Sequence, residues 1–91
     1  MDQQLIRSHV LIALKSIAPE VEAERLRNDR PLREEVDLDS MDWLRFIAAV
    51  YQRVGVNIPE VDYQRVSTLD ALVAYLAQHG ASDAEHPLAR N

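Results

Sequence analysis

A chain of 91 residues with 15 acids, 10 bases and no cysteine makes one small domain, and it excludes disulfide-built folds and thiolate metal sites. The formal charge of −5 argues against the basic surface that non-specific nucleic-acid binding requires, and suits a soluble protein whose partners carry basic patches. Apolar residues reach 47% with only two glycines, which favours an all-α fold.

No apolar run approaches the length of a membrane span. Asp2, Arg7 and His9 interrupt any secretory-signal pattern at the start, so a cytoplasmic protein is expected. Residues 3 to 17 read as a first helix. Ile6, Val10, Ala13 and Ile17 recur at helical spacing, with Leu5, Ile12 and Leu14 widening the stripe. Asp2 can cap its start, and Pro19 bars its continuation.

Residues 18 to 37 form a long charged connection. Val21 to Leu26 can make a helical turn or two, and Asn28-Asp29-Arg30-Pro31 is turn chemistry. Leu32, Val36 and Leu38 are lone apolar residues expected to peg the loop to the core. Arg25, Arg27, Arg30 and Arg33 alternate with acids and read as a solvated run.

A second helix spans residues 40 to 54, and Gly55 closes it. Asp39 is a good N-cap, with Asp42 where a capping box has its acid, though Asp is shorter than the usual Glu. Ser40 then takes the first helical position and its hydroxyl is free to point outward. Steps of about 100° put Phe46, Val50, Trp43, Val54, Ile47, Tyr51, Leu44, Ala48 and Met41 on one arc of roughly 220°. So wide an arc means either a central helix touched by several neighbours, which is the expected outcome, or an apolar surface kept for a partner.

Val56 to Pro59 is a short extended link. Residues 60 to 66 make at most two turns, with Val61 and Val66 or Tyr63 facing inward. Ser67 is expected to cap a last helix, with Asp70 at its third position; Leu69, Leu72, Val73 and Leu76 form its apolar stripe and Gly80 ends it. Residues 1 to 80 thus make the domain, and residues 81 to 91 read as a flexible tail.

Asp39-Ser40-Met41 resembles the Asp-Ser-Leu motif of acyl carrier proteins, with Met in place of Leu. The stretches Pro31 to Ser40, Gly55 to Pro59 and Ser67 to Leu72 resemble the family's loop end, its link after the second helix and the start of its last helix. The resemblance covers residues 3 to 80. It implies a four-helix carrier bundle: three longer helices, a short third one, and a long loop between the first and second. It also implies that Ser40 carries a 4'-phosphopantetheine arm, with Asp39 as its motif partner and Met41 and Leu44 near the base of the arm. A phosphopantetheinyl transferase would attach the arm from coenzyme A with Mg²⁺, which this chain itself would not hold.

The function so implied is a discrete, non-catalytic, monomeric carrier. It would present an acyl thioester to loading ligases or synthases and to acyltransferases in lipid or secondary-metabolite synthesis. Met41, Asp42, Trp43, Arg45 and Arg53 are the candidate partner-binding residues; for Trp43 packing is the plainer role. From Ser40 to Val54 there are two arginines and one acid, a formal +1, where fatty-acid carriers are typically acidic. That departure points to a specialised member rather than the housekeeping fatty-acid carrier.

Two other classes compete with the carrier. For a metalloenzyme, the Asp37, Asp39, Asp42 trio fails as a calcium loop, because Asp42 stands where Gly is needed and Ala48 where Glu is. Ser40 lacks the flanking glycines of a nucleophile elbow, and His9, His79 and His86 are scattered. The other class is an unprimed helical interaction module in which Asp39-Ser40 is only a cap.

Overall fold

The computed structural model describes residues 2–81, all helix, turn and loop, with no strand among them. Helix α1 runs Gln3–Ile17, α2 is a single turn at Leu32–Glu35, α3 runs Ser40–Val54 and α4 runs Leu69–Gln78. Two 3₁₀ segments, Ala23–Arg25 and Glu60–Val66, lie in the connections. The three long helices and the 3₁₀ segment at Glu60–Val66 make the expected carrier-type bundle. The turn α2 is an addition within the long loop.

The caps explain where the helices begin and end. The Asp2 carboxylate accepts from Leu5 N–H at 2.8 Å and starts α1. Gly55 closes α3 at φ 74°, a left-handed position that a side chain would strain, and its N–H donates to the Tyr51 carbonyl at 2.8 Å. Thr68, not Ser67, caps α4, accepting from Ala71 N–H at 3.1 Å. Ser67 is still in helical conformation at the end of the 3₁₀ segment, and its carbonyl accepts Leu32 N–H at 2.7 Å; Thr68 is the first extended residue.

α1 and α3 pack in opposite directions. Arg53 near the end of α3 reaches His9 in the first half of α1, while Ala49 shares a groove with Ile12, Ala13 and Ser16. α4 lies against α1, and the Glu60–Val66 segment lies against α4. The core holds Ile6, Val10, Leu14, Phe46, Val50, Leu72 and Leu76, all at most 1% exposed, with further apolar residues packed round them. Among the described residues the only buried side chains with a polar atom are Trp43 and Tyr75, and no charged side chain is buried.

In three places apolar residues expected to face inward turn toward solvent. Leu5 and Ile12 are about half exposed, because these two residues, seven apart, lie together at the margin of the covered face of α1. Val61 is 87% exposed. A 3₁₀ segment repeats every three residues, so the face that turns Val66 inward carries Tyr63 and not Val61.

The third place is on α3. Trp43, Phe46, Ile47, Val50 and Val54 are buried, but Met41, Leu44 and Tyr51 are 60%, 49% and 46% exposed. The expected central helix is therefore not seen; one side of the wide arc faces solvent.

The long loop is held to the rest by backbone hydrogen bonds. Besides the Leu32–Ser67 bond, Asp70 N–H donates to the Asn28 carbonyl at 3.1 Å. Leu32 and Leu38 are buried and Val36 half-buried, as the pegging requires. Arg25, Arg27 and Arg30 make exposed ion pairs, such as Arg25–Glu22 and Arg30–Glu34, whereas Arg33 donates to the Leu38 carbonyl. The expected tail lies outside the described residues except for Ala81, which is buried and donates its N–H to the Leu76 carbonyl.

Tyr75 ties the Glu60–Val66 segment to α4. Its hydroxyl donates to Asp62 Oδ2 at 2.6 Å, and Arg65 lies 3.6 Å from the other Asp62 oxygen. The bond to Asp62, then burial and the Asp62 charge, raise the Tyr75 pKa above the ordinary 10.0, with Arg65 opposing. A raised phenol pKa means stability that is full below the unfolded value and is lost as pH rises through the folded one. Tyr75→Phe is therefore expected to cost about 1 kcal/mol at neutral pH. The gap to the parent should close in alkaline solution, as urea melts at both pH values would show. A gap that persists at high pH would assign the cost to packing.

Candidate functional site

The approach to Ser40 is set by α2. Val36 ends that turn, Asp37 adopts the left-handed conformation at φ 58°, and Leu38 N–H donates back to the Arg33 carbonyl at 3.2 Å. This is a Schellman-type stop, made with Asp, which tolerates the left-handed region better than most side chains. Leu38 then plugs into the core, at 6% exposure, with Arg33 Nε on its carbonyl at 3.3 Å. Asp39 follows in extended conformation and starts α3.

The Asp39 carboxylate accepts from Asp42 N–H at 2.8 Å and is the N-cap. The reciprocal half of a capping box is replaced by a loose pair, Asp42 with Arg45 at 4.0 Å. Ser40 is thus the first residue of α3, exposed, its hydroxyl not recruited as the cap. The positive end of the helix dipole lies under it. A phosphodiester on Ser40 fits: it has open solvent above it and the helix N-terminus below it, which offsets repulsion from Asp37, Asp39 and Asp42.

The five candidate partner residues are placed differently. Met41 opens an exposed stripe at helical spacing that Leu44, Ala48 and Tyr51, not among the candidates, continue away from Ser40. Arg45, two-thirds exposed, and Asp42 flank it. Trp43 turns inward at 5% exposure, edge-on to Tyr63 with ring centroids 6.0 Å apart, and 5.5 Å from Phe46. The fold does not bring Arg53 to Ser40. It lies about 20 Å along α3 from Ser40 on another face, where its Nε donates to His9 Nδ1 at 3.1 Å.

One feature of the site is missing from the sequence reading. A hollow of about 170 Å³ opens beside Trp43, lined by Pro31, Arg33, Tyr63, Gln64 and Ser67. Trp43 was the available signal, being an aromatic one turn beyond the Ser. The other walls come from segments far apart in sequence. Among the described residues no group of three or more His, Asp or Glu gathers to hold a metal ion.

The family model described as the phosphopantetheine attachment site matches residues 11–76, a span that includes Ser40 and all of α3. The chain belongs to the acyl carrier protein family. A curated acyl carrier protein of Rubrobacter xylanophilus is 22% identical over 76 residues, covering 80% of this chain and 94% of that one. Membership in the acyl carrier family implies a phosphopantetheine prosthetic group and encounters with transferase and synthase enzymes. Among the described residues no helix is long and apolar enough to cross a membrane.

Proposed function

We propose that residues 1 to 80 are an acyl carrier domain primed on Ser40, acting as a monomer and doing no chemistry of its own on the cargo. The exposure of Ser40 at the first turn of α3, with capping delegated to Asp39, carries this reading. Ser40 Oγ forms the bond to phosphorus as the diphosphate linkage of coenzyme A breaks. Adenosine 3',5'-bisphosphate leaves with the electron pair, and the Ser40 proton passes to solvent. A phosphopantetheinyl transferase with Mg²⁺ performs that step. The bound arm supplies a thiol that holds an acyl group as a thioester. A tethered cargo meets each enzyme of a lipid or secondary-metabolite route at high effective concentration.

Incubation with coenzyme A, Mg²⁺ and a broad-specificity transferase tests this. The chain has no cysteine, so any new thiol comes from the arm. The expected result is a mass gain of one phosphopantetheine with one titratable thiol, mapped to Ser40. With no gain from several transferases, the domain is an unprimed interaction module.

The stripe from Met41 to Tyr51 is the docking face in this proposal, with Arg45 and Asp42 at its rim. Arg45 repels the basic patches of enzymes tuned to an acidic carrier helix. Arg45→Glu is expected to raise kcat/KM with ordinary fatty-acid enzymes by roughly threefold to tenfold, through the on-rate, and the gain should fade in high salt. An unchanged rate at low salt removes charge as the discriminating term. Arg53 is left out of this test because of its bond to His9.

A further inference from the structure

Resting on the carrier reading, the geometry points to an aryl acyl group, one aromatic ring wide, as the cargo taken into the hollow beside Trp43. Size is the first argument. An apolar cavity of about 150 Å³ is known to hold one benzene ring, and this hollow is about 170 Å³. The hollow is open on one side, so its size admits one ring without by itself excluding a chain that runs out through the mouth.

The walls are the second argument. Trp43 and Tyr63, which both line the hollow, already stand edge-to-face at 81°, with Phe46 tilted at 50° behind Trp43. A ring entering beside Trp43 and Tyr63 extends that cluster and gains the quadrupole attraction that an alkyl chain lacks. Arg33, Gln64 and Ser67 also line the hollow. Arg33 is anchored through Nε to the Leu38 carbonyl, and its other guanidinium nitrogens remain to donate to the thioester carbonyl or to a ring hydroxyl.

Access is the third argument. Ser40 and Trp43 are three residues apart on α3, with about 5–6 Å between their Cβ atoms. A flexible arm on Ser40 can fold back over that distance. The outer walls, Tyr63 and Gln64, sit on the 3₁₀ segment, which Tyr75 holds through Asp62. The same segment is also pinned by the fully buried Val66 and, at its end, by the Leu32 N–H to Ser67 carbonyl bond, which give the hollow a fixed outer wall.

The test uses four forms of the chain: apo, holo, benzoyl-loaded and dodecanoyl-loaded. The loaded forms are made by a broad-specificity transferase from the matching coenzyme A thioesters, and each is checked by intact mass. Trp43 is the sole tryptophan and reports on the hollow directly. The expected result is a change in Trp43 emission on going from holo to benzoyl, absent in the dodecanoyl form, with nuclear Overhauser contacts from the benzoyl ring to Trp43 and Tyr63. Ser67→Leu, which fills the hollow, should load normally and lose the emission change. Should that variant fail to fold, the ring contacts in the parent decide alone.

Absence of any mass gain sinks the carrier reading itself. Normal loading with no ring contacts to Trp43 overturns only this inference. So does an equal emission change in the dodecanoyl form, or one already complete in the holo form, where the arm itself would fill the space.

Discussion

Ser40→Ala is expected to abolish phosphopantetheine attachment completely while leaving the fold nearly unchanged. The two halves of this expectation have separate causes. Attachment needs an oxygen nucleophile at the first position of α3, and no other hydroxyl stands there. Asp39 and Asp42 flank it, and neither offers an alcohol. The fold does not need that oxygen, because the cap is the Asp39 carboxylate, 2.8 Å from Asp42 N–H. Alanine is also a good residue at an exposed helical site, so the stability change should stay within about 0.5 kcal/mol.

Asp39→Ala supplies the contrast, since it removes the cap and should cost about 1 kcal/mol. Intact mass after transferase treatment reads the first half, and thermal melts of the three proteins read the second. A mass gain on the Ser40→Ala protein, or a melt far below the parent, would count against the assignment.

Phe46→Ala is expected to cost about 3–5 kcal/mol, the largest stability loss of any change considered. Phe46 is fully buried in the middle of α3, with its ring 5.5 Å from that of Trp43. Truncation leaves a cavity under the helix that carries Ser40, and the interlocked neighbours can only partly collapse into it. Domains of this size have about 5–15 kcal/mol in all, so much of the population could unfold near physiological temperature.

Urea melts followed by far-ultraviolet dichroism should show a much lower midpoint, with Trp43 emission moving to the red as its pocket opens. Met41→Ala is the matched control on the same helix. At 60% exposure it should change stability by no more than about 0.5 kcal/mol. If the two substitutions cost the same, the division of α3 into a buried and an exposed face is wrong.

That division is also where reading the residues in order reached its limit. The wide arc on α3 was legible as a conflict between too much apolar surface and too little helix to cover it. Its resolution was not, since it depends on how many neighbours arrive. Spacing along one helix says nothing about that number. Only one side of α3 is covered, so Met41, Leu44 and Tyr51 remain exposed beside Ser40. Ser67 was a sound choice of cap by residue type, but the preceding segment kept it helical and passed the role to Thr68. Val61 looked inward because it is apolar, yet the three-residue period of the 3₁₀ segment placed it outward. Arg53 shared a helix with Arg45, but its partner, His9, is 44 positions away.

What the amino-acid order determines alone in this protein is local. Cap residues and breakers place α1, α3 and α4 within a residue or so, because Asp2, Asp39 and Gly55 act on backbone groups only a few positions away. The Asp39-Ser40 junction is of the same kind: one side chain caps, and the next is left free. The tertiary fold decided which apolar residues are buried, that Arg53 is bonded to His9 while Arg45 stands near Ser40, and that Trp43 shares a hollow with Pro31 and Ser67. Those outcomes depend on the closure of a long loop and on how many helices meet. Both are fixed by burial summed over the whole chain, not by any short stretch of it.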